Sequence, residues 1–155
     1  MLVEPNEPGN LGAIIRTADA AGADAVLVDG GADPFGGKAV RASAGSLFHL
    51  PVVPVATSEL LARAAADGLT TLATSGEASS ELDDAELSAP TVWVFGNEAH
   101  GLPHSVLAAA DRCVRIPIYG RAESLNLAAA AAVCLYASAR AHHRSSAPQT
   151  GIEGE

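Results

Sequence analysis

The stretch Thr91-Val92-Trp93-Val94-Phe95-Gly96-Asn97-Glu98-Ala99-His100-Gly101-Leu102-Pro103 decides the fold. Its first five residues are β-branched or aromatic, the composition of a buried strand. The strand runs straight into Gly-Asn-Glu, and Gly-Leu-Pro then opens a short helical stretch over 103–110. Upstream, 69–74 reads as another strand, preceded by an Ala/Leu helix over 57–67 that Gly68 closes. Further back, 1–3 is a short strand. Leu11, Ile14, Ile15 and Ala18 fall at helical spacing within 10–21, with Gly22 at the C′ position and Asn10 as N-cap. Residues 25–28 form a strand ended by Asp29-Gly30-Gly31. Residues 29–37 are a Gly/Asp/Pro loop, and 38–44 a short helix. The run 46–55 is strand-like, but Pro51 and Pro54 confine its pairing to an edge or a strand end. Downstream, 113–118 is a strand and 124 to about 142 the longest helix. Strand–helix alternation at this spacing predicts an α/β fold, a mostly parallel sheet with helices on both faces.

The length of 155 residues bounds the chain to one domain with a sizeable core. We expect that domain over 1–143 and a frayed tail over 144–155, where periodicity stops. The acidic stretch 75–90, with Glu77, Glu81, Asp83, Asp84 and Glu86, reads as a surface loop. The chain is 48% hydrophobic but only 4% aromatic, so small residues must pack the core closely. No apolar run is long enough to span a bilayer, and no charged-then-apolar leader is visible. Cys113 and Cys134 are too few for a disulfide framework or a four-ligand zinc site. They read as thiols in a reducing compartment, which makes the cytoplasm the expected location. Nine Lys+Arg stand against 18 Asp+Glu, a net charge of -9, which by itself argues against a generic nucleic-acid binder.

Parallel α/β sheets bind ligands in the loops at the carboxyl ends of their strands, and three such loops carry chemistry. In Glu4-Pro5-Asn6-Glu7-Pro8-Gly9-Asn10-Leu11-Gly12-Ala13-Ile14-Ile15-Arg16, prolines and glycines shape a rigid entry into a helix. The helix N-terminus there is able to meet an anion such as phosphate. Arg16 lies in the second turn, on a different azimuth from Asn10; an ordinary surface ion pair is its alternative reading. In the second loop Gly96 permits close backbone approach to a ligand, and Glu98 stands at the mouth of the sheet. In Arg115-Ile116-Pro117-Ile118-Tyr119-Gly120-Arg121-Ala122-Glu123-Ser124-Leu125-Asn126-Leu127, Ser124 and Asn126 flank a helix start. Both also read as plain capping residues, although an Asn ahead of an Ala-rich run favours a role for its amide. No Gly-x-Gly-x-x-Gly, P-loop or Gly-x-Ser-x-Gly pattern accompanies these segments.

Taken together, the three segments resemble the three motifs of the SpoU branch of the SPOUT RNA methyltransferases. Asn10-Leu11-Gly12-Ala13-Ile14-Ile15-Arg16-Thr17-Ala18 is similar to the first motif. Phe95-Gly96-Asn97-Glu98 with Gly101-Leu102-Pro103 is similar to the second. Ile116-Pro117-Ile118 with Ser124-Leu125-Asn126-Leu127 is similar to the third. Each motif alone is common; the ordered trio, spread over nearly the whole chain, is specific. The resemblance implies a SPOUT fold with a C-terminal deep trefoil knot that holds S-adenosylmethionine without a metal. It implies a homodimer, with no membrane association, that transfers methyl to a ribose 2′-hydroxyl of RNA. Ribosomal RNA is the favoured substrate and transfer RNA the alternative. The implied cofactor-binding residues are Thr74, Phe95, Gly96, Asn97, Ile116, Ile118, Ser124 and Leu125. The implied catalytic residues are Arg16, Asn10, Glu98, Ser124 and Asn126.

An arginine stays protonated in nearly every protein environment. Arg16 therefore has two open roles, as the group that takes the hydroxyl proton or as an electrostatic grip on the developing alkoxide or a phosphate. Arg16, Lys38, Arg41 and Arg121 are the expected RNA contacts. The acidic balance is reconciled with RNA if a further N-terminal RNA-binding domain, absent from this chain, supplies affinity. Two other classes stand as alternatives: a non-catalytic RNA-binding module with the same fold, and an α/β enzyme using another nucleotide.

Overall fold

A computed structural model of the chain describes residues 1–146. Along them run β1 (Leu2–Val3), α1 (Pro8–Ala20), β2 (Val26–Asp29), α2 (Gly37–Ala42), β3 (Val52–Pro54), α3 (Thr57–Ala66) and β4 (Thr70–Thr74). They are followed by β5 (Ser80–Glu81), β6 (Thr91–Val94), α4 (His104–Ala109), β7 (Arg112–Arg115) and α5 (Leu127–Ser146). All strand pairings are parallel, in two sets ordered β1-β2-β3 and β5-β7-β4-β6. A parallel bridge between Leu2 and Phe95 joins the sets. Across it the Val3 amide donates to the Phe95 carbonyl at 2.9 Å and the Phe95 amide to the Met1 carbonyl at 3.0 Å. The spatial order is therefore β3-β2-β1-β6-β4-β7-β5. From β1 the chain turns toward β2 on one side; from β6 it crosses β4 to reach β7 on the other. The β1/β6 seam is thus where the winding direction reverses, the place where open parallel sheets bind ligands.

Strand alternation divides the core into two layers. Leu2, Leu72, Trp93 and Phe95 face one side with Leu11, Ile14 and Ile15 of α1 and Ala131 and Cys134 of α5. Val3, Ala73 and Val94 face the other with Leu60 of α3 and Val106 of α4. Trp93 and Phe95 stack at 6.2 Å, and the Trp93 Nε1 donates to Ser138 Oγ at 2.9 Å, which satisfies the indole inside the first layer. Burial on both faces is why the strands read as continuous apolar runs.

The ends of the elements depart from expectation in physically informative ways. α1 starts at Pro8, not at Asn10. Pro8 at the first helical position has its φ preset, and the Glu7 side chain caps by accepting from the Gly9 amide at 3.2 Å. The helix closes as expected on Gly22, at φ 76°, with the Ala23 amide on the Ala18 carbonyl. The run 46–55 is not one strand: Ser46–Phe48 is a 3-10 turn launched from Gly45, and only Val52–Pro54 pairs, at the sheet edge. The strand expected over 113–118 is Arg112–Arg115. Within 75–90 lie β5 and a 3-10 turn at Leu82–Asp84, with Ala78, Leu82 and Leu87 buried. α5 begins after Asn126, and residues 144–146 of the expected tail continue it; the remainder of that tail lies outside the described residues.

At Gly12, α1 rests directly on the backbone of α2. A Cβ on Gly12 would stand 2.3 Å from the Ala39 carbonyl oxygen and 2.6 Å from the Ala42 Cβ. Gly12→Ala should destabilise the protein by about 2 kcal/mol, because the clash against backbone outweighs the gain in helix propensity. Urea denaturation checks this, and an unchanged midpoint would contradict the packing described.

Candidate functional site

The loops after β1 and β6, the end of β4 and the segment leading into α5 enclose one cleft of about 470 Å³. That volume falls within the ordinary range of small-molecule sites. Glu98 organises the cleft. Its Oε2 accepts from the Asn6 amide at 2.8 Å, and its Oε1 accepts from the Glu7 amide at 3.1 Å and from Asn10 Nδ2 at 3.0 Å. Asn10 Oδ1 in turn accepts from Asn126 Nδ2 at 3.1 Å. The Asn126 Oδ1 caps α5, accepting from the amides of Ala128 and Ala129 at 2.9 and 3.3 Å. One chain of hydrogen bonds therefore ties all three sequence segments together. Burial opposes ionisation of Glu98. The hydrogen bonds from Asn10 and the backbone amides outweigh it and hold the carboxyl below its ordinary value.

At the entry to α1 the chain's own Glu98 carboxylate takes the amides of Asn6 and Glu7. Glu7 adds a second: its Oε1 takes Lys38 Nζ at 2.5 Å, and that bond, ahead of the Gly9 amide, lowers its pKa. Asn97 shapes the loop. Its Nδ2 donates to the Glu4 carbonyl at 2.7 Å, and its Oδ1 accepts from the Ala99 amide at 2.8 Å. Gly96 has a packing reason to be bare in addition to the expected ligand approach. A Cβ there would stand 2.2 Å from the Gly101 carbonyl carbon, where the loop folds back on itself with paired Asn97–Gly101 hydrogen bonds.

Of the residues singled out from sequence, Asn10, Thr74, Phe95, Gly96, Asn97, Glu98, Ser124, Leu125 and Asn126 converge on the cleft. Ser124 lies ahead of α5, so the cap is Asn126. Ile116 packs against the core, and Ile118 is partly exposed; neither lines the cleft. Arg16 is exposed on α1 and is not part of the cleft wall, Arg41 is exposed on α2, and Arg121 is exposed in the loop after β7. Sequence reasoning missed Asn6 and Glu7, which act through backbone amides that any residue supplies. Among the described residues no three His, Cys, Asp or Glu side chains converge as a metal cage. A second groove of about 420 Å³ lies between α3 and α4 and carries no ionisable side chain.

A parallel α/β sheet with a cleft built from loops at its winding reversal defines a class of nucleotide-type binding domains. Within that class, the SpoU rRNA Methylase family model matches residues 1–136, and the chain belongs to this family. The 23S rRNA (guanosine(2553)-2′-O)-methyltransferase RlmP of Bacillus subtilis (strain 168) is 41% identical over 131 residues, 84% of this chain and 53% of the relative. The 23S rRNA (uridine(2479)-2′-O)-methyltransferase of Streptomyces viridochromogenes is 40% identical over 143 residues, 88% of this chain and 50% of the relative. The crystal structure of the SpoU methyltransferase AviRb from Streptomyces viridochromogenes, in complex with the cofactor AdoMet, superposes with a TM-score of 0.86 at 38% identity. That match covers 94% of this chain and 57% of AviRb. The chain spans about half the length of the curated relatives it matches.

Glu98→Gln keeps the shape but turns an acceptor into an amide facing donors, and should lower stability at neutral pH by about 1 kcal/mol, discounted for exposure. Because the folded pKa lies below the ordinary 4.5, the contribution of the carboxylate is present above 4.5 and fades as pH falls through the folded value. The stability gap between parent and variant should therefore narrow as pH falls below 4.5. Urea titrations at pH 7 and 3.5 check it; a constant gap would contradict the clamp.

Proposed function

We propose that this chain is the methyltransferase domain of an S-adenosylmethionine-dependent RNA 2′-O-ribose methyltransferase acting on large-subunit ribosomal RNA. The observation that carries this is the gathering of all three motif segments into one cleft through Glu98, Asn10 and Asn126. Membership of the family and the 23S rRNA activities of the relatives support the reading.

The cleft fits the cofactor chemically. Leu125 and Leu127 line it with apolar side chains suited to an adenine, and the negative charge of Glu98 at its wall suits a cation. When bound, S-adenosylmethionine supplies a sulfonium methyl for transfer to the ribose oxygen. Backbone groups at Gly96 and Leu125 are the proposed holders, with Thr74 beside them; the resemblance adds Ile116 and Ile118, which stand outside the cleft wall in this structure. Asn10 and Asn126, locked by their mutual hydrogen bond, and Ser124 orient the ribose. Arg16 acts on the 2′-hydroxyl or its neighbouring phosphate, and Lys38, Arg41 and Arg121 contact RNA. Since Arg16 leaves its own cleft, its site is completed in a homodimer. Val133 and Tyr136, 41% and 47% exposed on α5 beside α1, supply an apolar face for that contact. A trefoil knot in the segment leading into α5 belongs to the same reading, and so does residence in the cytoplasm, where ribosomal RNA is. No helix among the described residues is long and apolar enough to cross a membrane.

Incubation of the protein with labelled S-adenosylmethionine and total RNA should place the label on a 2′-oxygen of large-subunit ribosomal RNA. Label on a base nitrogen would overturn the reading, and label on transfer RNA would redirect the substrate. Arg16→Ala should reduce transfer about 100-fold or more while leaving cofactor affinity by calorimetry within about twofold. Arg16→Lys separates charge from fork geometry: near-full activity in that variant excludes specific guanidinium chemistry.

A further inference from the structure

We propose that Phe35 is a base-stacking platform for a single-stranded RNA segment leaving the cleft, with Lys38 and Arg41 holding its phosphates. The inference rests on the RNA reading above and names a contact within it.

Exposure of one aromatic carries no meaning by itself. Here three further observations converge. First, the Phe35 ring is 57% exposed although its backbone is pinned. The Phe35 amide donates to Asp33 Oδ1 at 2.9 Å, and the Gly36 amide to the Asp33 carbonyl at 3.1 Å. Pro34 beside it is buried. The Ala32 amide donates to the Pro5 carbonyl at 2.7 Å, and Gly31, at φ 71°, sits so close that a Cβ would be 2.4 Å from that oxygen. The ring therefore stands on a turn fixed against the loop after β1, which Asn97 and Glu98 fix to the cleft. A ring carried on a fixed turn adds no cost of loop ordering when a base settles on it.

Second, two of the chain's scarce cations, nine against 18 acidic residues, follow it on α2. Lys38, the one lysine of the sequence, is 62% exposed at its side chain and reaches Glu7, which lines the cleft. Arg41 folds back: its Nη1 lies 3.4 Å from where a Cβ on Gly37 would be, over the start of α2 two residues past Phe35.

Third, the spacing suits a strand of nucleotides. Phe35 and Lys38 are three residues apart, so their Cα atoms lie within about 11 Å. Lys38 meets the cleft rim through Glu7, and Phe35 stands within that reach of it. An aromatic ring flanked by cations is the arrangement that binds unpaired bases, stacking on the ring while the charges track the backbone.

The test uses the full chain, a short fluorescein-labelled single-stranded RNA read by anisotropy over a salt series, and methyl transfer to total ribosomal RNA. Phe35→Ala and Phe35→Leu should each weaken oligonucleotide binding about tenfold and raise the RNA KM with kcat nearly unchanged. Phe35→Trp should bind within about twofold of the parent. The salt slope should be unaltered in Phe35→Ala and shallower by about 0.7 in Lys38→Ala, since only the second loses a phosphate contact. Cofactor affinity by calorimetry and the sedimentation coefficient should match the parent in Phe35→Ala. Parent-like RNA binding by Phe35→Ala, parity of the leucine variant, or a change in oligomeric state would each overturn the stacking role. Failure of the unsubstituted chain to bind or methylate RNA, with cofactor binding intact, would instead remove the underlying RNA reading and the stacking role with it.

Discussion

Three loops that are far apart in sequence share one carboxylate. Glu98 gathers two backbone amides from the loop after β1 and an amide side chain from the first turn of α1. That first turn then reaches the cap of α5 through Asn10 and Asn126. A charged acceptor suits this position. It carries two oxygens and no donor, so it faces several N–H groups at once, and its bonds are stronger than those of a neutral amide. It also lies at the positive end of α1. The shape of the cleft depends on a negative charge held in place by hydrogen bonds rather than on apolar packing, because the loops that form it are largely exposed.

The surroundings extend this fixation through backbone contact. Gly96 lets the loop after β6 close on Gly101, and Gly12 lets α1 rest directly on the backbone of α2. In both places the missing Cβ removes freedom of movement between segments. The bias toward small apolar residues has the same effect on a larger scale. Ala131, Ala73, Ala39 and Ala64 are fully buried and bring helices and sheet together closely.

Much of this was legible in the chain. The β-branched run before Gly96, the helical spacing of Leu11, Ile14, Ile15 and Ala18, and the closing glycines at 22 and 68 are local signals, and they survive folding. The ordered motifs likewise pointed to the residues that meet in the cleft. What escaped depends on distant partners. Asn10 has the chemistry of a cap, yet Glu98 and Asn126 claim its side chain while Pro8 and Glu7 start the helix. Ser124 and Asn126 both read as caps; the approach of Asn10 goes with the choice of Asn126. Residues 46–55 carry strand composition, but the left-handed Gly45 and two prolines break the run. The amides of Asn6 and Glu7 have no side-chain signature at all.

The two borders of the sheet have a consequence of their own. β3 has three residues, bounded by Pro51 and ending in Pro54, and β5 has two. A proline offers no N–H to an incoming strand, and two residues make too short a template for one to align. The seven parallel strands of the described residues, a shape that elsewhere invites lateral growth, are thus closed at both ends by chemistry and by brevity. Edge-to-edge polymerisation is suppressed by the borders themselves, and the faces of the helices are left free for specific association.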